Sequence, residues 1–273
     1  NWDDRSGKSD YASYGNRGER YLAAVAHLDG LDKPACGIFS RGYYTYAFIW
    51  AVSFDGKELK QRWLHSSKSK TQYTVTDSNN KSRTYTPKAS SAGLGYNTMY
   101  GNGNHNLSVA DVDGDGRDEI VWGSSTLDDD GKLLYSVGFG HGDAMHLSDL
   151  NPERPGLEVF QVHENKGQYS WHIHDASTGE ILFKGGNEGK DNGRGIAAQL
   201  SSDHHGFFFS SADERSQRSA VTGMITSSGT TSLNFRIYWD GDLQDELLDG
   251  GTISSWTGNG TATLNIRGKS PWE

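Results

Sequence analysis

Residues 110–122 read Ala110-Asp111-Val112-Asp113-Gly114-Asp115-Gly116-Arg117-Asp118-Glu119-Ile120-Val121-Trp122, an acidic glycine turn running into an apolar segment of strand length. The pattern returns at Ser148-Asp149-Leu150-Asn151, leading into Leu157-Glu158-Val159-Phe160. It returns again at Tyr238-Trp239-Asp240-Gly241-Asp242, leading into Glu246-Leu247-Leu248. Weaker copies begin at Ala26-His27-Leu28-Asp29 and Ala198-Gln199-Leu200-Ser201. Anchored on residues 27, 111, 149, 199 and 238, the steps are 84, 38, 50 and 39, three of them near the roughly 40–50-residue period of propeller blades. The long step contains a polar stretch at about 66–97, rich in Ser, Thr, Lys, Asn and Gly, which reads as a surface excursion. The expected fold is all-β: one β-propeller segment over 1–273, with about four to five blades. A β-sandwich of hairpins is the competing architecture. The recurrence of one turn chemistry favours the propeller.

Helical periodicity is nearly absent. Its best candidate, Arg20 to Leu28, reads equally well as a buried strand. Hairpin signals stand at Phe54-Asp55-Gly56-Lys57, Asp129-Asp130-Gly131-Lys132, Ala176-Ser177-Thr178-Gly179 and Ser227-Ser228-Gly229. Eight Trp, thirteen Tyr and ten Phe exceed what a disordered chain carries, and 35 Gly in 273 residues imply a turn-rich core. A net charge of −9 argues against a nucleic-acid partner, which would call for a basic face. The single cysteine, Cys36, excludes an internal disulfide and a Cys-rich zinc site. No apolar run approaches the roughly 18 residues of a membrane span. The chain opens at Asn1 and closes at Ser270-Pro271-Trp272-Glu273, which reads as a segment of a larger protein. A missing leader carries no weight in a segment, and the net charge of −9 fits a protein that is secreted, periplasmic or at the cell surface.

Asp111, Asp113 and Asp115 alternate with Val and Gly at a spacing that surrounds one hard cation, with Glu119 at the ninth position to close the loop. An EF-hand is excluded, since its twelfth position is Trp122 and a strand follows. Oxygen-only donors favour Ca²⁺. For Asp149, Asn151 and Glu158, and for Asp240, Asp242 and Glu246, a Ca²⁺ loop and a plain acidic turn stand side by side.

Two glycine-rich stretches precede acidic turns: Gly101-Asn102-Gly103-Asn104-His105-Asn106, and Gly138-Phe139-Gly140-His141-Gly142-Asp143-Ala144-Met145-His146. Equivalent loops of successive blades face one end of the central channel. His105 and His141 are therefore expected to converge there, with Asn104, Asp143, His146, His163 and Glu164 as substrate contacts. His146 and His163 read equally as hydrogen-bonded interior groups. His172, His174, His204 and His205 read as surface or turn residues. Gly193-Arg194-Gly195 stands before the fourth anchor and brings a guanidinium suited to gripping a carboxylate. A nucleophile elbow and a phosphate-binding loop are both absent from the sequence.

Asn104 to Gly116, Gly140 to His146, Pro155 to Glu164, Gly193-Arg194-Gly195, Trp239 to Leu243, Tyr14-Gly15-Asn16-Arg17 and Arg41-Gly42-Tyr43-Tyr44-Thr45 together closely resemble the rhamnogalacturonan lyases of polysaccharide lyase family eleven. The likeness spans nearly the whole chain apart from 66–97. It implies a secreted, Ca²⁺-dependent enzyme on an eight-bladed β-propeller that cuts the rhamnogalacturonan I backbone of pectin by β-elimination at galacturonate. By the same resemblance, His105 and His141 match positions at the Ca²⁺-bearing cleft, and Arg194 matches a catalytic arginine. The family also carries a catalytic Asn-Gly-Thr-Lys segment. Here Asn259-Gly260-Thr261 is followed by Ala262, so that role is not carried over and the segment alone is expected to turn over poorly. A non-catalytic Ca²⁺-loop propeller that binds glycan or protein is the alternative. The glycine-bracketed His105, His141 and Arg194 favour the enzyme.

Overall fold

The computed structural model describes residues 20–90, 92–164, 169–186 and 191–264. Among them there is no helix. The strands form five antiparallel sheets, each built in chain order. The first holds β1 (Tyr21–Ala26), β2 (Cys36–Arg41), β3 (Ala47–Phe54), β4 (Leu59–Ser67), β5 (Tyr73–Asp77) and β6 (Ser82–Tyr85). The second holds β7 (Ser108–Ala110), β8 (Glu119–Val121), β9 (Ser125–Leu127) and β10 (Leu133–Ser136). The third holds β11 (Met145–Ser148), β12 (Glu158–Val162), β13 (Trp171–Asp175) and β14 (Ile181–Gly185). The fourth holds β15 (Gly195–Ala198), β16 (Phe208–Ser211), β17 (Gln217–Ser219) and β18 (Ile225–Ser227). The fifth holds β19 (Phe235–Ile237), β20 (Glu246–Asp249), β21 (Thr252–Trp256) and β22 (Thr261–Thr263).

The sheets pack face to face in series, and side-chain alternation along each strand supplies both interfaces. On β8, Ile120 enters the core shared with the first sheet while Val121 enters the core shared with the third. On β12, Val159 faces back to the second sheet and Phe160 faces forward to Ala197 and Phe209 of the fourth. Ile196 and Ala198 of β15 then meet Leu233, Leu247 and Trp256 of the fifth. Burial on both faces explains why these strands read as continuous apolar runs. The first strands of the sheets approach one another, β1 against β7, β11 against β15 and β15 against β19, so the segments leading into them gather at one end.

Arg20 to Leu28 adopts the strand alternative. Three of the hairpin signals join neighbouring strands, at 55–58, 128–132 and 176–180. The fourth, Ser227-Ser228-Gly229, begins the crossing from the fourth sheet to the fifth. The polar stretch 66–97 is more than a surface excursion: β5 and β6 extend the first sheet. Tyr73 stacks between His65 and Tyr85 at 4.7 and 5.1 Å, and its hydroxyl accepts the Leu133 N–H at 3.1 Å. Alternating Thr, Val and Tyr on β5 suit a half-buried strand, and that outweighs the polar composition around it. The quoted motif at residues 14–17 lies outside the described residues.

Candidate cation and uronate site

The acidic turns share one device. A buried glutamate opens the second strand of its sheet and turns back to accept the turn's backbone N–H groups. Glu119 Oε2 takes Val112 N–H at 2.7 Å, Glu158 Oε2 takes Leu150 and Asn151 at 2.9 and 3.0 Å, and Glu246 Oε2 takes Trp239 at 2.9 Å. The aspartates ahead of them fold into Asx turns, Asp111 accepting Gly114 and Gly116 N–H groups and Asp240 accepting that of Asp242. The carboxylates of Asp111, Asp113 and Asp115, and those of Asp240, Asp242 and Glu246, each lie within 4.8 Å of one another. Burial lifts Glu119 to about 8, reinforced by Asp113 and Asp115; its second oxygen, like that of Glu158, is buried without a hydrogen bond. Asn151 Oδ1 accepts Glu153 N–H at 3.1 Å, and Asp149 directly follows β11, ahead of the turn that leads to Glu158.

The loops before the turns build a separate cluster. His105, His141, Asp143 and Glu164 present ligand atoms that all lie within 4.8 Å of one another. His105 Nε2 is 3.3 Å from Asp143 Oδ1, and His141 Nε2 is 3.7 Å from that oxygen and 3.4 Å from Glu164 Oε1. His141 Nδ1 lies 2.6 Å from the Gly103 carbonyl. A carbonyl only accepts, so Nδ1 carries the hydrogen and Nε2 is the nitrogen aimed at the carboxylates, the arrangement typical of a metal-ligating histidine. His141 Nε2 and Asp143 Oδ1 are buried and satisfied by no hydrogen bond. Such atoms are costly unless a cation completes them.

Glycine lets the loops close this tightly. A Cβ on Gly142 would sit 1.8 Å from the Val162 carbonyl oxygen, and one on Gly103 would sit 2.5 Å from Tyr43 Cβ. Asn104 and Gly142 form a parallel bridge between the two histidine loops. Tyr43 stacks flat on His141 at 5.2 Å, and Tyr44 places its hydroxyl 3.2 Å from His105 Nε2. Burial raises the Asp143 pKa, but His141, Glu164 and the charge of His105 outweigh it and hold the carboxyl at about 2. Burial depresses His141, yet the adjacent Asp143 and Glu164 outweigh that and raise it above its usual value. Burial lowers His105, and the charges of His141, Arg20 and Arg194 add to this against Asp143.

Arg194 is exposed, donating to its neighbour's Gly193 carbonyl at 2.9 Å, and its charge reaches His105. The Gly193 position lies against Asp143, whose Oδ2 would be 3.1 Å from a Cβ there. His105, His141, Asp143, Glu164 and the Arg194 loop thus come together. Asn104 is buried at its edge, its carbonyl held by Trp122 Nε1–H at 2.9 Å. His146 and His163 adopt the interior alternative: burial drives them to about 4 and about 3, and His146 Nε2 lies 3.4 Å from the Gly195 carbonyl. His172 and His174 are fully buried on β13, contrary to the surface reading, because that strand has a sheet on each side. His204 is half-buried, with Nε2 3.2 Å from Ser219 Oγ. Sequence reasoning missed the Tyr43–Tyr44 pair as site residues; the Arg41 to Thr45 motif was the available signal. Asn259 to Thr261 lies at the exposed β21–β22 hairpin, on the last strand of the fifth sheet.

Residues 3–270 match the family described as rhamnogalacturonan lyase family 11, C-terminal domain. The chain belongs to this family. It is 44% identical over 244 residues to the rhamnogalacturonan exolyase YesX of Bacillus subtilis, covering 86% of this chain and 36% of that protein. It is also 44% identical over 256 residues to the rhamnogalacturonan endolyase YesW of the same organism, covering 92% and 36%. The YesW crystal structure superposes with a TM-score of 0.77 at 40% identity, covering 95% of this chain and 41% of that one. A rhamnogalacturonan lyase structure from Bacillus licheniformis gives 0.74 at 41% identity, covering 95% and 41%. The chain therefore spans a little over a third of the length of these family members.

Proposed function

We propose that this chain supplies the cation- and uronate-binding part of a rhamnogalacturonan lyase that cleaves the rhamnogalacturonan I backbone of pectin by β-elimination. The observation that carries the reading is the convergence of His105, His141, Asp143 and Glu164 with two buried, unsatisfied ligand atoms beside the Arg194 loop. His105, His141, Asp143 and Glu164 would hold the cation, and on the family resemblance we assign Ca²⁺, the two carboxylates supplying its hard donors and water and substrate oxygens filling the rest of its shell. When bound, it supplies charge that neutralises a galacturonate carboxylate. Arg194 adds a guanidinium from the exposed side of the cluster and orients that carboxylate. In the elimination the C5–H bond breaks, its electron pair forms the C4–C5 double bond, and the C4–O pair leaves with the departing sugar oxygen. Arg194 stabilises the carboxylate-delocalised charge that develops at C5. A general base takes the C5 proton, and the departing oxygen is protonated as the hydroxyl of the released sugar.

The stacked sheets with first strands gathered at one end support an arc of β-propeller blades over 1–273. Asp111, Asp113, Asp115 and Glu119, with Asp240, Asp242 and Glu246, are proposed as structural Ca²⁺ loops. Asp149, Asn151 and Glu158 are proposed as a third. Secretion is part of the same proposal.

The test is calorimetric titration of the chain with galacturonate-containing rhamnogalacturonan oligosaccharides, with Ca²⁺ and with chelator. Binding should require the cation and fall at least tenfold in Arg194→Ala. Carboxyl-reduced oligosaccharide should bind no better than the variant. Binding indifferent to chelator and to Arg194 would overturn the reading.

A further inference from the structure

His163, at the end of β12, and His172 and His174 on β13 are fully buried and stacked, with centroids 4.7 and 4.9 Å apart and planes within 13°. Their ring nitrogens join end to end. His163 Nε2 lies 2.6 Å from His172 Nδ1, His172 Nε2 lies 2.7 Å from His174 Nδ1, and His174 Nε2 lies 3.1 Å from the Tyr135 hydroxyl on β10. Phe139, in the loop that carries His141, packs on His163 at 5.4 Å and on His172 at 4.8 Å.

Each N···N contact, at 2.6 and 2.7 Å, joins a nitrogen that donates to one that accepts, which neutral buried imidazoles provide. Each then has one donor and one acceptor nitrogen. His163 Nδ1 is buried without a hydrogen bond of good geometry, Nε2 is taken up by His172, and the Gly140 carbonyl acts on the ring as an acceptor. A carbonyl only accepts, so Nδ1 bears the hydrogen and Nε2 must accept. The assignment propagates along the chain: His172 Nδ1–H donates to His163, His174 Nδ1–H donates to His172, and the Tyr135 O–H donates to His174. Every donor points from β10 towards the backbone beside His141.

That backbone is held on other sides as well. The Gly140 carbonyl accepts Ser124 Oγ–H at 3.0 Å, and Gly140 N–H donates to Asn102 Oδ1 at 3.0 Å. Glu164 N–H donates to the His141 carbonyl at 3.1 Å, and Asn192 N–H donates to the His163 carbonyl at 3.0 Å. His163 thus stands where the segments bearing His141, Glu164 and Arg194 meet. A buried network linked end to end specifies a geometry where an apolar filling would tolerate several.

We propose that Tyr135, His174, His172 and His163 are positioning residues, a one-directional hydrogen-bonded chain that fixes the Gly140–Gly142 loop and Glu164 at the separation a shared cation needs. The proposal rests on the cation reading of the His105, His141, Asp143 and Glu164 cluster.

The experiment is Ca²⁺ and Mn²⁺ titration of the purified chain, with His141→Ala identifying the cluster's share of the isotherm, alongside ¹⁵N spectra of the imidazoles. In the wild type all three rings should carry hydrogen on Nδ1 and a bare Nε2. Tyr135→Phe removes only the terminal donor. It should lower cation affinity at the cluster about tenfold, the low end for an outer partner of a metal ligand, and lower the melting temperature by no more than the loss of one buried hydrogen bond. His172→Gln should cost more; if it fails to fold, Tyr135→Phe decides. Wild-type affinity in Tyr135→Phe, or an Nε2–H tautomer in any of the three rings, would overturn the positioning role alone. A wild-type chain in which His141→Ala changes nothing would sink the cluster reading, and the positioning role with it.

Discussion

Gly142→Ala tests how tightly the site is built. Gly142 lies between His141 and Asp143, bridges to Asn104, and passes directly over the Val162 carbonyl. An alanine Cβ would meet that oxygen at 1.8 Å and its carbon at 2.9 Å, and both atoms are backbone. Ordinary contact begins near 3.4 Å, so the loop must lift by more than an ångström, because β12 is pinned between two sheets. Overpacking of this kind costs about 1–3 kcal/mol of stability. The effect on the site should be larger in proportion. A displacement of about 1 Å in a preorganised site typically costs about 100-fold, and His141 and Asp143 both ride on the displaced loop. Calorimetric cation titration and thermal melting of Gly142→Ala, beside Gly156→Ala as a control, provide the assay. Gly156 has a φ of +96° with no atom within 4 Å of its Cβ position, so alanine there adds strain in a distant turn and leaves the cluster intact. The expected result is about a 100-fold loss of cation affinity at the cluster in Gly142→Ala alone. Wild-type affinity in that variant would refute the claim that loop closure creates the site.

Further outcomes follow from other elements. Asp113→Ala should reduce the drop in melting temperature that chelator causes in the wild type, because one carboxylate of the Asp111, Asp113 and Asp115 group is lost; an unchanged chelator response would mark a plain turn. His65 is fully buried between the Gly131 carbonyl and Ser67 Oγ, and burial lowers it to about 4. The unfolded chain therefore takes up a proton between pH 6.5 and 4 that the folded chain refuses. Stability should fall as pH drops through that window, and denaturant melts of His65→Gln should show a shallower decline, by about 1 kcal/mol per pH unit. Phe160→Ala should cost about 3–5 kcal/mol, read from chemical unfolding, since its ring is fully buried against Phe209 at 5.2 Å.

The repeat was legible because its chemistry is local. An Asx turn followed by a glutamate and an apolar strand announces itself in thirteen residues, and Ala110 to Trp122 folds as that pattern implies. The gathering of His105 and His141 was legible for the same reason, since each stands a few residues ahead of its turn. The third-sheet histidines were not. Trp171-His172-Ile173-His174 alternates apolar and polar as a half-exposed strand does, and nothing local says that a second sheet covers the polar face. Tyr43 and Tyr44 reach the site from the β2–β3 connection, a contact across 61 residues from Tyr44 to His105. Thr74-Val75-Thr76 pairs with β4 despite lying in a lysine- and serine-rich stretch, where composition masked a short alternating strand.

The proposed site places one cation among His105, His141, Asp143 and Glu164. Anomalous diffraction from crystals of the chain soaked in Mn²⁺, with Ca²⁺ as the matched comparison, tests it most directly. The expected result is a peak coordinated by His141 Nε2 and the Asp143 and Glu164 carboxylates at about 2.0–2.6 Å, lost in His141→Ala. Peaks confined to the acidic turns, with His141 and the two carboxylates bonded to one another, would contradict it.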